Sequence, residues 1–195
     1  MPKRRARWTS DDYRAATARS IADRIAHTTQ TTGPGPHFDP LALITALNST
    51  GLPYIVIGGL AAVVHGSPRR TADLDLMAFD LRSRLEPIAQ MLRDVQAIPY
   101  GSNGTTDGIS AAWLRHRPSF PLLEFHTALG GLDLDDYGDS TYRRVEKRSI
   151  RVQLGEQVAL FAGLDDLIGL KQRAGRPQDL DDLAILERAR GDPTD

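Results

Sequence analysis

The chain has 195 residues, of which 41% are hydrophobic and 25% charged, enough apolar material for a core and no basis for global disorder. It contains no cysteine, which excludes a disulfide scaffold, a Cys-ligated zinc site and a thiol nucleophile. No apolar run approaches the roughly 20 residues that cross a bilayer, and no apolar segment follows the basic opening Met1–Arg7, so a cytoplasmic protein with no membrane contact is expected.

The net charge of −1 hides an asymmetry. Residues 1–27 carry seven of the 24 basic residues and only three of the 25 acidic ones. A basic arm on an acidic body suits either nucleic-acid phosphate or a pairing with the body itself. Residues 10–27 read as a helix with Ser10 as N-cap, and residues 28–39 as a linker. A helix is expected from Pro40 to Asn48 with Asp39 as N-cap. Tyr54–Ile57 reads as a buried strand ending in Gly58-Gly59, followed by a helix over Leu60–His65. Thr71–Phe79 alternates as a strand, and Arg82–Arg93 has helical spacing. Strands are expected at Ile109–Leu114, Leu122–Ala128, Arg143–Gln153 and Gln157–Phe161. Helices at Leu164–Arg173 and Gln178–Arg190 follow, around Gly175-Arg176-Pro177. The fold class is α/β with a mixed sheet. The expected divisions are an arm and linker (1–39), a core (40–161) and a C-terminal helical annex (162–195).

Two features carry chemistry. A strand that ends in Gly58-Gly59 and turns straight into a helix lets backbone approach a ligand and leaves the first helical amides free for phosphate. Asp73 and Asp75 stand at i and i+2 on a strand, so both carboxylates share one face while Leu74 and Leu76 anchor the other. Paired carboxylates of this kind suit Mg²⁺ bound together with nucleotide phosphates. Thr71 has the same parity, which directs its hydroxyl to that face. A second Asp-x-Asp, Asp133-Leu134-Asp135, lies in the glycine- and aspartate-rich run Gly130–Asp139 and reads as a loop. It does not match a calcium loop, and substitution of Asp133 is expected to be nearly silent.

The run Gly58-Gly59, Ala, His65-Gly66, Arg70, Thr71, Asp73-Leu74-Asp75 resembles nucleotidyltransferases of the polymerase-β type, and within them the AbiEii and MenT group of toxins. Leu164–Leu183, with Lys171 on one helix and Asp179 opening the next, is similar to the closing segment of that group. The resemblance implies a nucleotidyltransferase fold with a C-terminal helical annex. It implies Mg²⁺-dependent transfer from a nucleoside triphosphate to a hydroxyl, with the tRNA 3′ end as acceptor and an antitoxin as partner. A small-molecule acceptor of the aminoglycoside kind, a protein hydroxyl, and an inactive binding module are the alternatives.

The site residues this implies are Asp73, Asp75, Glu124 and Lys171 for catalysis, the three carboxylates also for metal, with Glu124 filling the slot of a third carboxylate on Phe120–Gly130. Gly58, Gly59, Arg70, Thr71, Lys171 and Asp179 are implied for the nucleotide. Gly59 stands where the group often has Ser. Lys171 is either a cation aimed at the triphosphate or a snorkelling helix residue. Asp179 either stabilises a helix N-terminus or orients Lys171. His65 is expected to pack or cap, and His126 shares the face of Glu124.

Overall fold

The computed structural model describes residues 21–26, 38–102 and 106–191. The basic opening and the linker expected over 28–39 lie outside these, except for Phe38 and Asp39. Residues 21–26 are helical (α1). The helix α2 (Pro40–Ser49) starts where expected, with the Asp39 carboxylate accepting the Ala42 N–H at 2.9 Å. The chain continues through β1 (Tyr54–Val56), α3 (Gly58–Val64), β2 (Asp73–Ala78), a 3-10 turn at Leu81–Arg84 and α4 (Leu85–Asp94). Then follow β3 (Ile98–Pro99), α5 (Ala111–Arg115), β4 (Leu122–Thr127), β5 (Gly130–Asp136), α6 (Asp139–Glu146), β6 (Ile150–Leu154) and β7 (Gln157–Phe161). The helices α7 (Leu164–Ala174) and α8 (Pro177–Gly191) come last.

The strands form one sheet in the order β3-β4-β5-β2-β1-β7-β6. It is mixed: β2 pairs with β5 and β1 with β7 in parallel, and the remaining neighbours are antiparallel. The fold class is therefore the mixed α/β arrangement that the alternation of elements suggested.

Period two sorts the central strands cleanly. Leu74 and Leu76 of β2, Leu132 and Leu134 of β5, and Leu123 and Phe125 of β4 are buried, and join Leu43, Ile44 and Leu47 of α2 and Ile88 and Leu92 of α4 in one core. Each fully buried leucine contributes about 1.5–3 kcal/mol. Four of them on two adjacent strands hold β2 against β5 even though the opposite face carries like charges.

Three expectations give way here. Ile109–Leu114 is not a strand: Ser110 accepts the Trp113 N–H at 3.2 Å and caps the short helix α5. Arg143–Gln153 merges two elements, the end of α6 and the strand β6. Gly130–Asp136 is not a loop but the strand β5, hydrogen-bonded on both sides.

Candidate active site

The face of the sheet opposite the leucines collects carboxylates. Asp73 and Asp75 project from β2, and the parallel register sets Asp133 directly beside Asp75. One oxygen from each of Asp73, Asp75 and Asp133 lies within 4.8 Å of the others. The antiparallel register then places Glu124 beside Asp133 on the outer side. The third carboxylate grouped with Asp73 and Asp75 is thus Asp133, the residue expected to sit in a loop. Glu124 stands one strand further out and is exposed.

The crowding has an electrostatic signature. Burial, with Asp75, Glu124 and Asp73 around it, pushes the Asp133 carboxyl from 3.8 up to about 7. Burial and then Asp73 raise Asp75 as well, against the pull of the Gly59 N–H, Arg176 and Lys171. Ionising Asp133 therefore costs the folded chain free energy, starting near its unfolded pKa of 3.8 and levelling off above about 7. In metal-free buffer, Asp133→Asn should gain thermal stability over the unaltered protein as pH rises through that window. Melting curves at pH 4, 5.5 and 7.5 check this, and a difference that does not grow with pH would refute it.

The turn from β1 into α3 closes on the same carboxylates. Gly58 has φ +63°, and a Cβ there would lie 1.8 Å from Asp75 Oδ2. The next amide, Gly59 N–H, donates to Asp75 Oδ2 at 3.3 Å, so it is committed to a carboxylate and not left open for phosphate as expected. Gly59 itself is crowded by Thr71, whose Oγ1 would be 2.6 Å from an added Cβ. The Thr71 hydroxyl donates to Asp73 Oδ1 at 2.7 Å and is buried. The space a serine would need at position 59 is filled by the hydroxyl of Thr71.

Beyond Asp75 lies a cavity of about 330 Å³ lined by Gly58, Asp75, Tyr137, Lys171, Arg176 and Asp179 among others. Lys171 is buried, and its Nζ donates to Asp182 Oδ2 at 2.6 Å and Asp179 Oδ1 at 3.1 Å. Asp182 also accepts from Arg69 at 2.7 Å and from the Ser67 hydroxyl at 3.1 Å. Asp179 accepts from Arg176 Nε at 2.8 Å and from the Arg176 N–H at 3.3 Å. Burial alone would raise Asp179, but the bonds from Arg176 and Lys171 hold it below the usual carboxylate range. Both roles considered for Asp179 are thus visible: it caps the approach to α8 and pairs with Lys171. His65 ends α3, and its Nε2 lies 2.8 Å from the Ala162 carbonyl, a packing role as expected.

Sequence reasoning missed Asp133, Asp182 and Arg176. Asp182 follows Asp179 by three residues on α8, the spacing that puts two side chains on one helix face. Arg176 sits in the break between α7 and α8, which aims it at the cavity. Arg69 is tied to Asp182, whereas the Arg70 side chain is exposed.

Removing the Lys171 ammonium should be costly. Breaking one partner out of a buried ion cluster destabilises by about 3–5 kcal/mol. Arg69 and Arg176 still hold the two carboxylates, so Lys171→Met should fall at the low end of that range. Urea unfolding measures it, and a loss below roughly 1 kcal/mol would mean that the cluster is not held by its lysine.

No protein-family model matches the chain, and no curated protein matches it. Among solved structures, an antigenic nucleotidyltransferase-like protein from Paracoccidioides brasiliensis aligns with 93% of this chain and 78% of its own, at 15% identity and a TM-score of 0.45.

Proposed function

We propose that the chain is a metal-dependent nucleotidyltransferase that moves a nucleoside monophosphate from a nucleoside triphosphate to a hydroxyl acceptor. The observation that carries this reading is the meeting of three carboxylates, Asp73, Asp75 and Asp133, with a cavity whose far wall holds Lys171 and Arg176. One side is built for a hard cation and the other for a polyphosphate chain.

Mg²⁺ fits the donor set: Asp73, Asp75 and Asp133 offer only carboxylate oxygens, and burial together with Asp75, Glu124 and Asp73 raises the Asp133 carboxyl against the pull of Arg176. When bound, Mg²⁺ offsets the charge that develops on the phosphate oxygens. Asp73 and Asp75 would hold it, with Thr71 fixing the Asp73 carboxylate and Gly59 fixing that of Asp75. Gly58 forms the wall that lets the triphosphate lie close to Asp75, and Arg176 and Lys171 face the phosphates. Arg70, exposed and next in the chain to the Arg69 that holds Asp182, would meet the distal phosphate. Asp133, beside Asp75 in the ladder, takes the proton of the acceptor hydroxyl as its oxygen bonds to the α-phosphorus. The bond to the β-phosphate breaks and pyrophosphate leaves. Glu124 flanks Asp133 and positions the hydroxyl.

The acceptor we propose is the tRNA 3′ end, in a toxin controlled by an antitoxin. Support comes from the resemblance of Gly58–Leu76 and Leu164–Leu183 to the AbiEii and MenT group, and from the basic residues of 1–27. A second reading, transfer to an amine-bearing small molecule, is favoured by the excess of carboxylates on this face. Incubation with each α-labelled triphosphate, Mg²⁺ and total RNA tests the proposal, with Asp73→Ala as control. Label in tRNA supports it, label in a small-molecule fraction favours the second reading, and no transfer by folded protein overturns both.

A further inference from the structure

The register of the sheet draws a line across the candidate site. Tyr100 donates its backbone N–H to the Glu124 carbonyl at 3.0 Å, just past the end of β3. Glu124 faces Asp133, and Asp133 faces Asp75. One face therefore reads, strand by strand, Tyr100, Glu124, Asp133, Asp75, and then the cavity with Lys171 and Arg176. The cavity end suits the triphosphate, which leaves the Tyr100 end for the acceptor.

That end differs from the rest of the face. Tyr100 is 61% exposed and its ring centroid lies 4.4 Å from that of His126, itself exposed. Ile98, paired with His126, is 38% exposed. Four large hydrophobic residues are exposed among the described residues, and two of them, Ile98 and Tyr100, stand here. Neighbouring strands are about 4.8 Å apart, so the backbone of Tyr100 lies about 10 Å from that of Asp133 across the sheet. A nucleoside can stretch between them.

Resting on the transferase reading above, we infer that Tyr100 and His126 form a stacking platform for the base of a 3′-terminal nucleotide, whose hydroxyl then reaches Glu124 and Asp133. Bases stack on tyrosine and histidine rings without sequence demands. The carboxylate row makes the choice of an end over an interior position. An internal nucleotide would bring its 3′ phosphate onto Glu124 and Asp133 and be repelled, whereas a terminal one presents only a hydroxyl there.

The probe is a fluorescein-labelled single-stranded RNA nonamer, made with a 3′ hydroxyl or a 3′ phosphate and followed by anisotropy in Mg²⁺. Binding of a non-hydrolysable triphosphate is measured on the same preparations. Tyr100→Ala should weaken binding of the 3′-hydroxyl RNA about 10-fold and leave triphosphate affinity unchanged. Tyr100→Phe should bind as the unaltered protein does, and His126→Ala should lose part of the affinity. The 3′-phosphate RNA should bind several-fold more weakly. Equal binding by Tyr100→Ala, or equal binding of the two RNAs, overturns the platform. Triphosphate binding without RNA binding also overturns it while sparing the transferase reading. Failure to bind triphosphate overturns that reading too.

Discussion

On the proposed transferase reading, Asp133→Ala should cut nucleotide transfer by about 10³-fold while leaving the fold intact, the scale expected for loss of the general base that reading assigns. The residue lies opposite Asp75 in the ladder and contributes to the only three-carboxylate group found among the described residues. Its side chain is only partly buried, and the strand is anchored by Leu132 and Leu134 on the other face, so truncation removes charge without opening the core. Relief of like-charge crowding should even raise the thermal midpoint at neutral pH. Single-turnover transfer at saturating triphosphate measures the chemical loss, and Mn²⁺ titration measures the metal. Glu124→Ala, one strand further out, should cost much less. A rate for Asp133→Ala within a few-fold of the unaltered protein would remove Asp133 from the site and return the third place to Glu124.

Gly58→Ala should damage both stability and activity. The left-handed backbone at φ +63° costs an L-residue roughly 1–2 kcal/mol. The added Cβ would lie 1.8 Å from Asp75 Oδ2, 2.4 Å from its Cγ and 2.7 Å from its Cβ. Rotating the carboxylate clears the first atom but not the last, so β2 must move away from the turn. Overpacking of this kind costs a further 1–3 kcal/mol, about 3 kcal/mol in all. Asp75→Gly in the same chain removes all three colliding atoms, so the double variant should be more stable than the sum of the two single losses predicts, with no return of activity. Additive losses in urea unfolding would show that the two residues do not meet.

The legible part of the site was the part written in strict alternation. Asp73-Leu74-Asp75-Leu76 states its own geometry, and the structure puts the leucines in the core and the aspartates together on the other face. The same alternation runs through Leu132-Asp133-Leu134-Asp135, but Gly130-Gly131 in front of it reads as a turn. The glycines have another cause. A Cβ at Gly131 would come 2.9 Å from the Cβ of Asp73, and one at Gly130 would come 2.5 Å from the Phe38 ring. They are small because β5 runs close beside β2 and Phe38, contacts between residues far apart in the chain that no local pattern records. Lys171 posed the opposite problem. Its helix spacing was plain, but the carboxylates that bury it come from the next helix, and the arginine that shares Asp182 comes from position 69. Short apolar runs such as Ile109–Leu114 fit either element, and there the Ser110 cap decided the outcome.

The parallel pair at Val56 and Phe161 has a bearing on how the molecule comes into being. The strands β2, β5, β4 and β3 are all on hand once residue 136 has been made, so the carboxylate face has every strand it needs early in synthesis. The other flank of β1 stays open until β7 emerges, and the lysine and arginine of the cavity emerge after that. Such distant pairings are slow to close because the loop entropy is lost before the contacts form. For that interval a nascent chain carries clustered negative charge without its counter-charges. A ribosome-stalled chain ending before α7 is thus the species in which that crowding is least offset.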